Sequence, residues 1–189
     1  RKAMGTRDEK YTLEGMIEFD EGYFTVESSE IEQEKGVRGR GAAGKQNVAV
    51  MAESTPLENI ETGEKSKSCR YFKAKVLETH LSLEINETIK ESIDNQSIVF
   101  TDKSTSYVDT SDFVELHITE KSDKETTNET LKWVHITISN AKRNLLGNYH
   151  KIKRKYLQLY LNEFIYKLNR RYFGDQLFER LIIANITAV

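Results

Sequence analysis

One cysteine and one proline among 189 residues already exclude several classes of protein. A lone Cys69 makes neither an internal disulfide nor a multi-cysteine zinc site, and it suits a reducing compartment. No apolar run approaches the roughly 18 residues that a membrane helix needs. The opening segment RKAMGTRDEKYTLEG has a charged start with no apolar stretch behind it, so it does not read as a secretory signal. The default expectation is a soluble, cytoplasmic chain without a membrane partner. What is present, 38% apolar and 31% charged residues, suits one medium-sized domain with a real core.

The net charge of −2 hides an asymmetry. Residues 1–131 carry 17 Lys and Arg against 27 Asp and Glu, and residues 132–189 carry 11 against 3. The basic module is densest at Lys142, Arg143, Lys151, Lys153, Arg154 and Lys155, followed by Lys167, Arg170 and Arg171. Such a stripe is either a solvated helix face or a surface that gathers phosphates and releases their counterions.

Apolar alternation predicts strands over 14–26, 47–52, 69–77, 98–100 and 113–118. Helical spacing appears over 81–93, again over 140–146, and over about 153–172, where Tyr156, Tyr160, Phe164 and Leu168 repeat beside Leu157, Leu161 and Ile165 as a core stripe. Glycines at 36, 39, 41 and 44 mark a loop, and TEKSDKETTNET, over 119–130, has nothing to bury. Three strands, a helix, two strands and closing helices give an α/β layer architecture with a mixed five-stranded sheet.

Asp20 in IEFDEGYF and Asp102 in IVFTDKSTSY each lie in or at the end of an apolar strand, where a carboxylate is costly unless it is paired. On neighbouring strands they would converge at one sheet edge and hold hard cations through oxygen. Two magnesium ions about 3.5–4 Å apart would serve phosphoryl transfer. Taken alone, two strand-borne aspartates are also common surface residues. The sequence has no GxxxxGK[ST], HExxH or GxSxG pattern to support nucleotide hydrolysis, zinc proteolysis or α/β-hydrolase chemistry.

Taken in order, EFDEGYF, GRGAAGK, FTDKSTSY, HITISNAKRNLLGNYH and YLQLYLNEFIYKLNRRYFG resemble the catalytic domain of ISXO-type bacterial insertion-sequence transposases over most of the chain. The resemblance implies a ribonuclease-H-like fold for residues 1–189, with exposed loops near 27–46 and 119–131. It also implies an upstream DNA-binding region with a zinc ribbon, which this sequence is expected to lack. The implied activity is DNA end cleavage and strand transfer with Mg2+ or Mn2+, on element ends and target DNA, by a homo-oligomer associated with the nucleoid when bound. Asp20 and Asp102 would be the principal metal ligands.

The family's third acidic position falls on Asn140, five residues after His135, and matches a branch with Asp-Asp-Asn in place of Asp-Asp-Glu. An amide carbonyl can ligate magnesium but is neutral and cannot act as a base. His135 either orders the site or is a satisfied neutral residue, and Lys142 or Arg143 stabilises phosphate charge. Arg38, Arg40 and Lys45 in the glycine-rich loop, with Arg143, Lys151, Lys153, Arg154 and Lys155, are candidate contacts to the DNA backbone. The same residues admit a ribonuclease-H-like nuclease that only cuts, a non-catalytic DNA-binding remnant, or an interaction domain whose basic helix meets an acidic protein.

Overall fold

The computed structural model describes residues 1–27, 44–60, 62–63, 65–79, 81–107, 109–121 and 129–187. The glycine-rich loop with Arg38 and Arg40, and most of the charged insertion after Glu120, lie outside them. Five strands form one sheet: β1 (Met16–Thr25), β2 (Lys45–Glu58), β3 (Lys65–Leu77), β4 (Ile98–Asp102) and β5 (Leu116–Glu120). Their order is β3-β2-β1-β4-β5. The first three are antiparallel neighbours, and β4 and β5 run parallel to β1. Helices α1 (Lys2–Glu9), α2 (Ser82–Ser92), α3 (Lys132–Asn148), α4 (Leu157–Asn169) and α5 (Gln176–Thr187) flank it. This is the mixed sheet of the ribonuclease-H-like class.

Alternation along β1 sorts the core into two layers. Ile17 and Phe19 join Ala49, Met51, Val99, Ile85 and Ile89 under α2. On the other face Phe24, Val48, Val50, Ala52 and Phe72 meet Val134, Ile138, Ala141 and Leu145 of α3 and Leu157, Leu161 and Ile165 of α4. The α4 stripe is therefore centred on its leucines and Ile165, while Tyr156 is 43% exposed.

Several boundaries differ from the sequence expectation. β2 and β3 extend through the polar, Pro56-containing stretch as one long hairpin, with Pro56 opposite Lys67. Proline is tolerated there because β1 begins at Met16, opposite Ser54, and demands no donor from residue 56. Helix α3 begins at Lys132, so His135 sits on it rather than before it. Helices α1 and α5 are additional.

The outer edge of β3 is closed by amide side chains from α4. Asn169 Oδ1 accepts from the Phe72 N–H at 2.8 Å while its Nδ2 donates to the Phe72 carbonyl at 3.0 Å. Three turns earlier, Gln158 Oε1 accepts from the Val76 N–H at 2.7 Å and its Nε2 donates to the Ala74 carbonyl at 2.9 Å. Arg170 and Arg171 continue this clasp. Arg170 pairs with the Asp8 carboxylate of α1 at 2.6 Å, and Arg171 donates to the Cys69 carbonyl at 2.8 Å. Their place in the basic stripe is thus a packing role.

Candidate active site

The parallel ladder between β1 and β4 pairs Met16 with Ile98, Ile17 with Val99 and Glu18 with Phe100. Carried two residues further, that register sets Asp20 beside Asp102, the last residue of β4. Adjacent strands lie about 4.8 Å apart and side chains repeat every second residue. The two carboxylates therefore stand on neighbouring strands, on the sheet face that α3 covers.

The Asp20 side chain is 17% exposed. Burial pushes its carboxyl up to about 7, and the charges of Asp102 and Glu21 push the same way. The Glu21 N–H and Lys142 oppose them without cancelling the shift. Asp102 Oδ1 accepts from the Ser104 N–H at 3.1 Å, which fixes the chain as it leaves β4.

Helix α3 lies along β1 and brings two further groups. His135 Nε2 is 3.8 Å from Asp20 Oδ2, and burial holds the imidazole below its ordinary pKa against the pull of Asp102. Lys142, two turns on and on the same helix face, has its Nζ 5.6 Å from the Phe24 ring centroid. Burial lowers the Lys142 pKa, the Asp20 charge raises it, and Lys45 adds repulsion. Asp20 thus has His135 3.8 Å away and feels the charges of Asp102 and Lys142, with Lys45 near enough to Lys142 to repel it. Between His135 and Lys142 the helix comes so close to β1 that a Cβ on Gly22 would stand 3.0 Å from Ile138 Cγ2.

Asn140 is placed differently. Five residues beyond His135, it is turned about 140° around the helix. It is exposed, and its Oδ1 accepts from Arg143 Nη2 at 2.8 Å. Arg143 is also held by the Ser139 carbonyl through Nε at 3.4 Å. Among the other basic candidates, Arg154 Nη1 donates to the Lys45 carbonyl at 3.2 Å, Lys155 lies over the Tyr156 ring, and Lys151 is exposed. The Lys153 backbone bridges to Glu27. Among the described residues no group of three or more His, Cys, Asp or Glu gathers as a metal cluster.

Glu18, which the motif reading passed over, sets the position of α3. Its side chain is fully buried, and its Oε2 accepts from the N–H groups of Trp133 and Val134 at 2.6 and 3.2 Å. Helix α3 has Leu131 at its N-cap and no side-chain cap there. The β1 carboxylate fills that role from across the layer, against the positive end of the helix dipole. Lys67 Nζ lies 3.9 Å away, and burial still pushes the Glu18 carboxyl up to about 6. The signal was available in the strand alternation: Glu18 sits two residues before Asp20, on the same face. Glu18→Ala is expected to cost about 2–4 kcal/mol in urea denaturation by leaving two buried N–H groups unpaired, whereas Glu18→Gln keeps an acceptor and should cost under about 1 kcal/mol. Equal losses in the two variants would contradict this capping role.

A sequence profile described as the ISXO2-like transposase domain matches residues 12–169. No curated protein matches the chain.

Proposed function

Since the chain belongs to the ISXO2-like transposase domain family, we propose that it cuts the ends of a mobile DNA element and joins them to target DNA, with Asp20 and Asp102 as the metal-holding pair. The observation that carries this reading is that β1 and β4 are parallel neighbours and that the Asp102 charge acts on the buried Asp20 carboxyl. The donor set fits a hard divalent cation: both are carboxylates, and Asp20 is buried beside a like charge that a cation would offset. Magnesium or manganese, as two ions, would activate the attacking oxygen and stabilise the leaving one when bound.

The chain's own groups would do the rest. Asp20 and Asp102 would hold the cation at one strand edge and so fix where a phosphate can bind, since by themselves two carboxylates repel it. His135, neutral at pH 7, offers a ring nitrogen beside Asp20 as a positioning hydrogen-bond partner. Lys142 directs its ammonium to the same edge, where it offsets developing phosphate charge, with Lys45 beside it. Water attacks first, and the DNA 3′-hydroxyl so formed attacks the target. DNA is the partner the family implies, and a homo-oligomer that synapses two ends belongs to the proposal. Among the described residues no helix is long and apolar enough to cross a membrane.

The test is cleavage of labelled DNA carrying the element ends, with and without magnesium, by the wild type and Asp102→Ala. A loss of at least about a thousandfold in Asp102→Ala is expected, on the scale of removing a principal charge-stabilising group. Equal cutting by the variant would overturn the assignment. Binding without cutting would identify a lapsed remnant, and cutting without joining of pre-cut ends would identify a simple nuclease.

Asn140 enters as the auxiliary ligand that the resemblance implies, and ligation there requires both that its contact with Arg143 open and that its side chain reach round α3 from a face about 140° away from His135. Asn140→Ala is then expected to raise the magnesium concentration for half-maximal cleavage roughly tenfold. An unchanged magnesium requirement would assign Asn140 to holding Arg143 instead.

A further inference from the structure

A second cleft lies at the opposite end of the sheet. Thr55 and Ser68–Tyr71 form its floor, beyond the point where β1 begins, whereas Asp20 sits opposite Val50. Helix α5 and the start of the chain form its walls, enclosing about 870 Å³. Arg7, Lys10, Arg70, Arg170 and Arg180 line it, and no carboxylate does among the described residues. Asp8 neutralises Arg170, and Glu53 lies 3.8 Å from Arg70. Arg7, Lys10 and Arg180 have no ion-pair partner among the described residues, and the nearby Asp175 and Glu179 are not part of the lining.

Aromatic rings alternate with these cations. The Arg180 guanidinium carbon is 3.8 Å from the Phe173 ring centroid, Arg70 is 4.9 Å from Tyr71, and Arg171 at the rim is 4.3 Å from Tyr172. Tyr172 is 79% exposed. Apart from the β2 and β3 floor and Tyr166 and Asn169, the lining lies before residue 12 or after residue 169, outside the family match.

We propose that this cleft binds single-stranded nucleic acid, with phosphates on Arg7, Lys10 and Arg180 and an unpaired base on Tyr172. Unpartnered cations supply the sequence-independent attraction to phosphate. An exposed flat ring offers stacking that a lone strand lacks and a duplex already has. An acidic peptide would satisfy the cations but leave the rings unused.

The experiment is fluorescence anisotropy of the full chain with a short mixed-sequence labelled single strand in EDTA, titrated with salt. Because the readout is the effect of substitutions in this cleft, which shares no residue with the Asp20 edge, its outcome is separate from that of the transposase reading. Arg7→Ala/Lys10→Ala/Arg180→Ala should lower the slope of log K against log salt by roughly 2, from three contacts at about 0.7 each. Tyr172→Ala should weaken binding about tenfold with the slope kept. Lys10→Glu alone, on an exposed side chain, should lower the slope even if the triple variant fails to fold. An unchanged slope in these variants overturns the proposal. So does an equal loss of duplex binding in these variants, or polyglutamate competing as well as the strand.

Discussion

Asp20→Asn is expected to leave DNA uncut and yet to unfold at a higher temperature than the wild type in metal-free buffer at pH 8. Burial drives the effect, since the folded protein holds this carboxyl at about 7, far above its ordinary value near 3.8. The native state therefore binds the proton more tightly than the unfolded chain does. The associated stability is full below the unfolded value and is lost as pH rises through 7. At about 1.4 kcal/mol per pH unit the cost at pH 8 is on the order of 4 kcal/mol, and Asn keeps the shape while removing the charge.

His135 and His117, both depressed by burial, act in the opposite sense, but only as pH falls towards and below their unfolded value near 6.5. The histidines are common to both proteins and cancel in the comparison. The excess melting temperature of the variant over the wild type should therefore widen as pH rises from about 4 to 7 and level off above it. Magnesium at pH 8 should raise the wild-type value more than that of the variant. A difference independent of pH across this range would show that the charge is already compensated. Stability given up at one carboxylate is the expected mark of a residue kept for chemistry.

Asn169→Ala should produce the largest loss of stability. One side-chain amide serves the Phe72 N–H and carbonyl, the Tyr11 hydroxyl at 2.6 Å and Asp8 at 3.4 Å, and Asn169 is 7% exposed. Truncation strands the Phe72 N–H, leaves the Phe72 carbonyl only the Tyr11 hydroxyl at 3.5 Å, and removes a donor from Asp8, whose carboxyl burial already raises above its ordinary value. At about 1–3 kcal/mol for each buried group left unsatisfied, the expected cost is about 3–5 kcal/mol in urea denaturation. Gln158→Ala, in a half-buried position that water can reach, should cost less. A loss under about 1 kcal/mol in Asn169→Ala would show that water replaces the amide.

The sequence was most legible where a residue broke a local rule. Asp20 and Asp102 stood out because a charge in an apolar strand is expensive, and the fold puts them on neighbouring parallel strands where each charge acts on the other. The family resemblance, drawn from the same blocks, is borne out. What stayed hidden depended on distant partners. Arg170 reads as one cation in a basic stripe until the fold delivers Asp8, 162 positions away in sequence. Glu18 is an ordinary strand residue until the first turn of α3 arrives. Helix α1 has no apolar stripe and docks through Met4, Gly5 and Asp8, so periodicity had nothing to detect. Asn140 follows from its motif, while its rotational setting on α3 is a property of the fold.

The closed edge of β3 also governs how copies of this protein can meet. An open outer strand is a template on which a neighbouring chain can lay another strand, the usual beginning of swapped dimers and fibrils. Here the hydrogen-bonding positions at Phe72, Ala74 and Val76 are occupied by amides fixed to α4. A second copy could extend the sheet on that side only by first peeling off the helix that covers one layer of the core. Strand addition at this stretch of β3 is thus blocked, and copies that meet have to do so elsewhere, the outer edge of β5 included.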